Sequence, residues 1–202
     1  MPVTSSAMVS LGTKIPGFSL PDMTSGQMVS SDALDPAKPV LVLFIAPHCP
    51  FTGNLTSAIR GVIRDYRDRV SMIALCANDV VQVPEDSREG LKRLTAAVEL
   101  SGPFLYDEGQ GIARAFGATC TPECFLYDRQ RKLVYRGQID ETRATGRLSA
   151  LFSATHLAKE RDGAPIRAAL DALLAGTPID SSQRPGMGCN IKWRSIAPAH
   201  AR

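Results

Sequence analysis

Apolar residues form an unbroken run at PVLVLFIA (Pro39 to Ala46). A β-branched run of this length, with no polar interruption, predicts a strand buried on both faces in a sheet flanked by helices. The pattern then changes period. From Thr52 to Arg69 apolar side chains fall at Leu55, Ile59, Val62, Ile63 and Tyr66, leaving Arg60, Arg64, Arg67 and Asp68 for solvent, which is helical spacing. VSMIALCAN (Val70 to Asn78) predicts a second buried strand. VVQVPEDS follows as a loop, with Ser87 as the N-cap of a helix running to about Leu100. Phe104 to Tyr106 reads as a short strand, and Gly109 to Phe116 as a short helix ended by Gly117. CFLYD (Cys124 to Asp128) and KLVYRG (Lys132 to Gly137) flank Arg129, Gln130 and Arg131 and predict an antiparallel hairpin.

The remaining segments carry weaker periods. Residues 1–38 are rich in Pro, Gly, Ser and Asp and read as an extended arm, with a turn at Ser25 and Gly26 that suits a small hairpin. Residues 138–163 are polar and irregular, with a helical piece near LSALFSATHLAKE. A last amphipathic helix has Pro165 near its start, Ile166, Leu170, Leu173 and Leu174 on one stripe, and Gly176 at its end. Residues 177–202 show no helical period. Alternating strands and helices imply an α/β fold with a parallel sheet covered on both faces, to which the hairpin adds an antiparallel edge. The organisation expected is one domain over residues 1–202, with an arm at 1–38 and a tail at 177–202 packing on it.

Composition narrows the function classes. The 202 residues are 44% hydrophobic, enough for one domain with a substantial core. A formal charge of +3 is spread among acidic residues with no basic block, which argues against nucleic acid as a partner. No apolar run is long enough for a bilayer span. The start lacks a basic segment followed by an apolar one, so a signal peptide is not expected and the reading is cytoplasmic. In a reducing compartment Cys49, Cys76, Cys120, Cys124 and Cys189 are expected as free thiols, and an odd count does not suit a structural disulfide framework. The gap between Cys120 and Cys124 fits no common zinc spacing, so neither a metal nor another cofactor is expected.

The candidate chemistry centres on FIAPHCPFTGNL (Phe44 to Leu55). Cys49 lies just beyond the carboxyl end of a predicted central strand, where open α/β sheets place reactive groups, and at the start of the next helix. Pro50 suits the first helical turn, where its missing N–H is not needed. Unpaired helix amides and the helix dipole favour a thiolate there, and His48 adds positive charge when protonated. Cys76 and Cys124 sit in strand patterns and read as packing residues. Asn78 and Asp79 read as a turn, Glu123 and Arg136 as either near the site or solvated, and His156 and His200 as isolated surface residues.

The combination HCPF, NDVVQVPEDS, GATCTPE, KLVYRGQID and GCNIKW, across residues 12–193, resembles the peroxiredoxin-like branch of the alkyl hydroperoxide reductase/thiol-specific antioxidant superfamily, whose members have the thioredoxin fold. The resemblance implies a central mixed sheet flanked by helices, with Cys49 as the reactive cysteine. It also implies that Thr121 and Pro122, joined by a cis bond, face it from a later loop. Two positions depart from the relatives. Thr52 stands where thioredoxins carry their second motif cysteine, and Ala46 stands where peroxiredoxins carry Thr or Ser three residues before theirs. A thiol that forms an adduct must be resolved by another. Cys189, in the Gly-rich GMGCNIKW, is the first candidate and Cys120 the second. His48, Thr52, Thr121 and Pro122 are the expected substrate contacts. The leading expectation is thiol–disulfide exchange with a thiol or disulfide protein or a small thiol. The alternatives are a peroxide-consuming thiol peroxidase and a non-enzymatic redox sensor, and a homodimer is one possible assembly.

Overall fold

A computed structural model describes residues 3–140 and 161–194. The helical piece expected near residues 148–160, His156 and His200 lie outside the described residues. Five strands make the central sheet, in the order β6 (Phe104–Tyr106), β5 (Ser71–Cys76), β4 (Val40–Phe44), β8 (Glu123–Tyr127), β9 (Leu133–Gly137). β4 and β6 run parallel to β5, whereas β8 runs antiparallel to β4 and to β9. The sheet is therefore mixed, as the thioredoxin resemblance implied. The hairpin contributes two of its five strands, and β8 lies beside the most buried strand instead of only fringing a parallel sheet.

Alternation along β4 explains why its sequence is apolar throughout. Leu41 and Leu43 point to one face and Val40, Val42 and Phe44 to the other, and all five residues are buried. On the first face pack α1 (Pro50–Tyr66), α2 (Arg88–Val98) and α4 (Ala164–Ala175), through Ile59, Ile63, Leu91, Val98, Ile166 and Leu170. The second face carries α3 (Gly111–Phe116) and an aromatic cluster. There Phe116 meets Phe44, Phe125 and Tyr127 edge-on, with ring centroids 5.5, 5.8 and 6.1 Å apart. The hairpin β2 (Ser19–Pro21) and β3 (Met28–Ser30) adds Leu20 to that face, with Gly26 at φ +79° in the turn.

A second, three-stranded sheet brings both ends of the chain to one place. β10 (Met187–Asn190) lies between β1 (Val3–Ser5) and β7 (Cys120–Thr121), antiparallel to each. The tail returns across the domain through close backbone approaches. A Cβ on Gly188 would stand 2.0 Å from Thr121 O, so only glycine lets β10 lie this near the 121–122 peptide.

Candidate active site

Cys49 is the N-cap of α1, and Pro50 takes the first helical turn. Its amide donates to Ala46 O at 3.2 Å and its carbonyl accepts from Gly53 N. Thr52 Oγ1 accepts from Ala46 N at 3.4 Å, tying the first turn of the helix to the end of the strand before it. The Cys49 thiol donates to Thr121 O at 2.9 Å. The Thr121–Pro122 bond is cis. Cys189 is paired directly across from Thr121, so the two side chains share one face of the small sheet, and the Cys189 and Cys49 thiols influence each other's proton affinity. Cys120 pairs with Asn190 one position along and so projects from the opposite face.

All five cysteines are buried and free, so burial does not tell them apart; their proton affinities do. At Cys49, burial disfavours the anion. The Thr121 hydroxyl, the Thr52 amide, and the Cys189 amide and thiol together outweigh that cost and hold the thiol below its ordinary value. The geometry is reciprocal. In the protonated form the sulfur gives the helix no side-chain cap, and Thr121 Oγ1 is buried without a hydrogen-bond partner among the described residues. Loss of the proton offers both the helix amide and the hydroxyl an acceptor. Cys189 moves the other way: burial and its hydrogen bond to Cys49 push it up to about 12. Burial and then the Glu123 carboxylate push Cys120 up to about 12. Cys76 and Cys124 are raised further, chiefly by burial.

His48 turns its ring to Asp86. Its amide donates to Asp86 Oδ1 at 2.9 Å, its Nδ1 lies 2.7 Å from Asp86 Oδ2, and its Nε2 is buried without a partner among the described residues. Asp86 was legible only as part of a loop, VPEDS. In the structure it is fully buried in a 3-10 turn at residues 84–86 and also accepts from Asn78 Nδ2 at 2.7 Å. The turn packs against α2 so closely that a Cβ on Gly90 would lie 1.8 Å from Glu85 O. The one advance signal for Asp86 was an acidic residue at a Pro-led turn, which is too common to single it out. Asp79 does serve a turn, accepting from Val81 N. Asn78 departs from that reading, because its side chain joins Asp86 to the backbone of Lys192. Glu123 is buried, not solvated. Its Oε2 accepts from the amides of Thr119 and Cys120, and burial pushes its carboxyl up. Arg136 donates to Gln183 Oε1 at 2.8 Å.

Among the described residues no group of His, Cys, Asp and Glu is arranged to hold a metal, and no helix is long and apolar enough to cross a membrane. Residues 11–136 match the AhpC/TSA family. No curated protein matches the chain. Among solved structures, an uncharacterized conserved protein from Geobacillus kaustophilus is 37% identical, with 98% of this chain and 99% of that one covered and a TM-score of 0.85. A hypothetical protein from Sinorhizobium meliloti 1021 is 36% identical, with 95% and 99% covered and a TM-score of 0.84. The thioredoxin domain of a thiol-disulfide oxidoreductase from Bacteroides vulgatus is 16% identical, with 73% and 99% covered and a TM-score of 0.53, a likeness of fold.

Proposed function

The chain belongs to the AhpC/TSA family, and from that premise we propose that it is a thiol oxidoreductase in which Cys49 attacks a disulfide and Cys189 resolves the adduct. The observation that carries this reading is geometric: the Cys49 thiol donates to Thr121 O at 2.9 Å, and Cys189 is paired directly across from that same Thr121. Cys49, at a helix start, is lowered, and Cys189, across from Thr121, is raised. The sulfur with more thiolate attacks first. In the first step a bond forms between Cys49 Sγ and one substrate sulfur, the substrate S–S bond breaks, and the second substrate sulfur leaves as a thiolate. In the next step Cys189 Sγ attacks Cys49 Sγ, the mixed disulfide breaks, and the Cys189 proton ends on the released thiol. A dithiol or two external thiols then reduce the Cys49–Cys189 bond. Thr121 and Pro122 line the approach to the sulfur, Thr52 supplies an amide to the thiolate, and His48 shapes the turn that precedes it.

Cys120 is the weaker resolver because β7 turns its side chain away from Cys49. The name of the Bacteroides vulgatus domain, a thiol-disulfide oxidoreductase, agrees with exchange chemistry on this fold. The family match keeps a second oxidant in view. A hydroperoxide would convert the Cys49 thiolate to a sulfenic acid with release of an alcohol or water, and Cys189 would then displace water to give the same disulfide.

Mass-spectrometric thiol mapping tests the reading. After limited oxidised glutathione, the adduct should appear first at Cys49 and then give way to a Cys49–Cys189 bridge. First labelling at Cys76 or Cys124, or a Cys49–Cys120 bridge with Cys189 still reduced, would overturn it. Repeating the mapping with hydroperoxide at matched concentration ranks the two oxidants.

A further inference from the structure

Asp86 is a carboxylic acid with no exposed surface, and the exchange chemistry makes no use of it. Buried ionisable groups contribute little net stability, since their desolvation offsets their attractions, and their use lies in fixing one arrangement of neighbours. Asp86 has neighbours on two sides. One is the turn before the nucleophile, where it accepts from the His48 amide at 2.9 Å and lies 2.7 Å from the His48 ring nitrogen. The other is Asn78, at the end of β5, whose Nδ2 donates to it at 2.7 Å. The remaining end of the Asn78 amide is also used: Oδ1 accepts from the Lys192 amide at 2.8 Å. Lys192 lies three residues beyond Cys189. Its carbonyl is gripped as well, by the Asp79 amide at 3.0 Å and Gln110 Nε2 at 2.8 Å.

A chain of polar contacts thus runs from the residue beside Cys49, through Asp86 and Asn78, to the stretch of tail just past Cys189. We propose that Asp86 and Asn78 form a positioning relay that fixes the Cys189 strand in register against the Cys49 turn, so that the second sulfur is held where it can resolve the first. The inference rests on the reading of Cys189 as resolver. Neither residue touches the reacting sulfurs. Their effect is on effective concentration, because a tail held at one end searches fewer arrangements before the sulfurs meet.

The readout is the equilibrium in which the Cys189 thiol displaces glutathione from Cys49. The Cys49–Cys189 bond forms, the Cys49–glutathione bond breaks, and the Cys189 proton leaves on glutathione. The ratio of bridge times glutathione to mixed disulfide measures the effective concentration of Cys189 directly. Asn78→Ala should lower that ratio about tenfold, the worth of a well-made buried hydrogen bond. Tyr106→Phe is the control. It removes a hydrogen bond to the Asn78 backbone carbonyl, 3.0 Å long, without cutting the relay, and should leave the ratio unchanged. If Asn78→Ala does not fold, Asn78→Asp keeps the shape and the acceptor for Lys192 but turns an oxygen toward Asp86, and it should lower the ratio in the same way. A wild-type bridge with an unaltered ratio in the folded Asn78 variant overturns the relay alone. A wild-type protein that forms no Cys49–Cys189 bridge overturns both the relay and the resolver it serves.

Discussion

Thr121 acts on the Cys49 proton in two opposing ways. Its carbonyl accepts the thiol hydrogen at 2.9 Å and so favours the protonated form, whereas its buried hydroxyl, which has no hydrogen-bond partner among the described residues, gains one when the sulfur becomes an anion. Thr121→Val separates the two, because it keeps the carbonyl and the side-chain shape and removes the hydroxyl. A hydrogen bond to a charged group contributes about 1.5–3 kcal/mol, so the Cys49 pKa should rise by about one to two units. Thiolate absorbance followed against pH would measure this, in a background where the other four cysteines are replaced. A midpoint that stays in place would mean that the hydroxyl has no part in stabilising the anion. At this scale the sequence places Cys49 between a buried strand and a helix, and the structure has it there, as the residue that opens α1. Thr121 is placed opposite Cys49 only by the family resemblance, and Asp86 by nothing, since its importance depends on His48 and Asn78, which the fold brings to it.

Elements with a strong period were legible. β4, β5 and α1 declare themselves through continuous apolar or helical spacing, and the structure places them within a few residues of the pattern. β1, β7 and β10 do not, because strands of three, two and four residues are too short to have a period. β10 exists because a partner edge is offered to it. What the sequence did show was the pair of glycines in GMGCN, and their reason is now visible in the approach of Gly188 to Thr121 O. Gly188→Ala should push β10 off β7, costing about 1–3 kcal/mol as an overpacked contact and lowering the yield of the Cys49–Cys189 bridge. Urea unfolding under reducing conditions gives the first quantity and thiol mapping the second. Full stability together with a normal bridge yield would show that β10 tolerates a wider separation than the structure implies. The placement of β8 beside β4 was likewise hidden. A hairpin reads the same in sequence whether it joins a sheet at its edge or beside its most buried strand, and only the pairing of Phe44 with Glu123 through Val40 with Tyr127 decides it.

For the whole molecule, the buried thiols link folding to pH with a sign that can be worked out. In the folded chain Cys120 and Cys189 are raised to about 12, and Cys76 and Cys124 are raised as well. Unfolded, each returns to an ordinary thiol value near 9.0. Below that value both states hold the protons and these groups contribute their full stabilisation. Above it the unfolded chain releases protons that the native state keeps, so stability falls as pH rises, by about 1.4 kcal/mol per pH unit for each such thiol, until the folded value is reached. Cys49 has the opposite sign. Its lowered value makes its contribution largest above 9.0 and loses it as pH drops through the folded pKa. Above 9.0 the Cys49 contribution is constant, so the four raised thiols set an alkaline loss, to which Tyr127 and Tyr135, raised by burial, add above their ordinary value of 10.0. Unfolding free energies measured with a reductant present should therefore decline from about pH 9 upward, more steeply than one proton would give. Cys120→Ala should reduce that slope by close to one proton, whatever it does to the stability at neutral pH, because its thiol no longer distinguishes the two states. A profile that stays flat between pH 9 and pH 10, or a slope that Cys120→Ala leaves unaltered, would show that the thiols are less shielded from ionisation than their packing against Glu123, Asp86 and Gly137 implies.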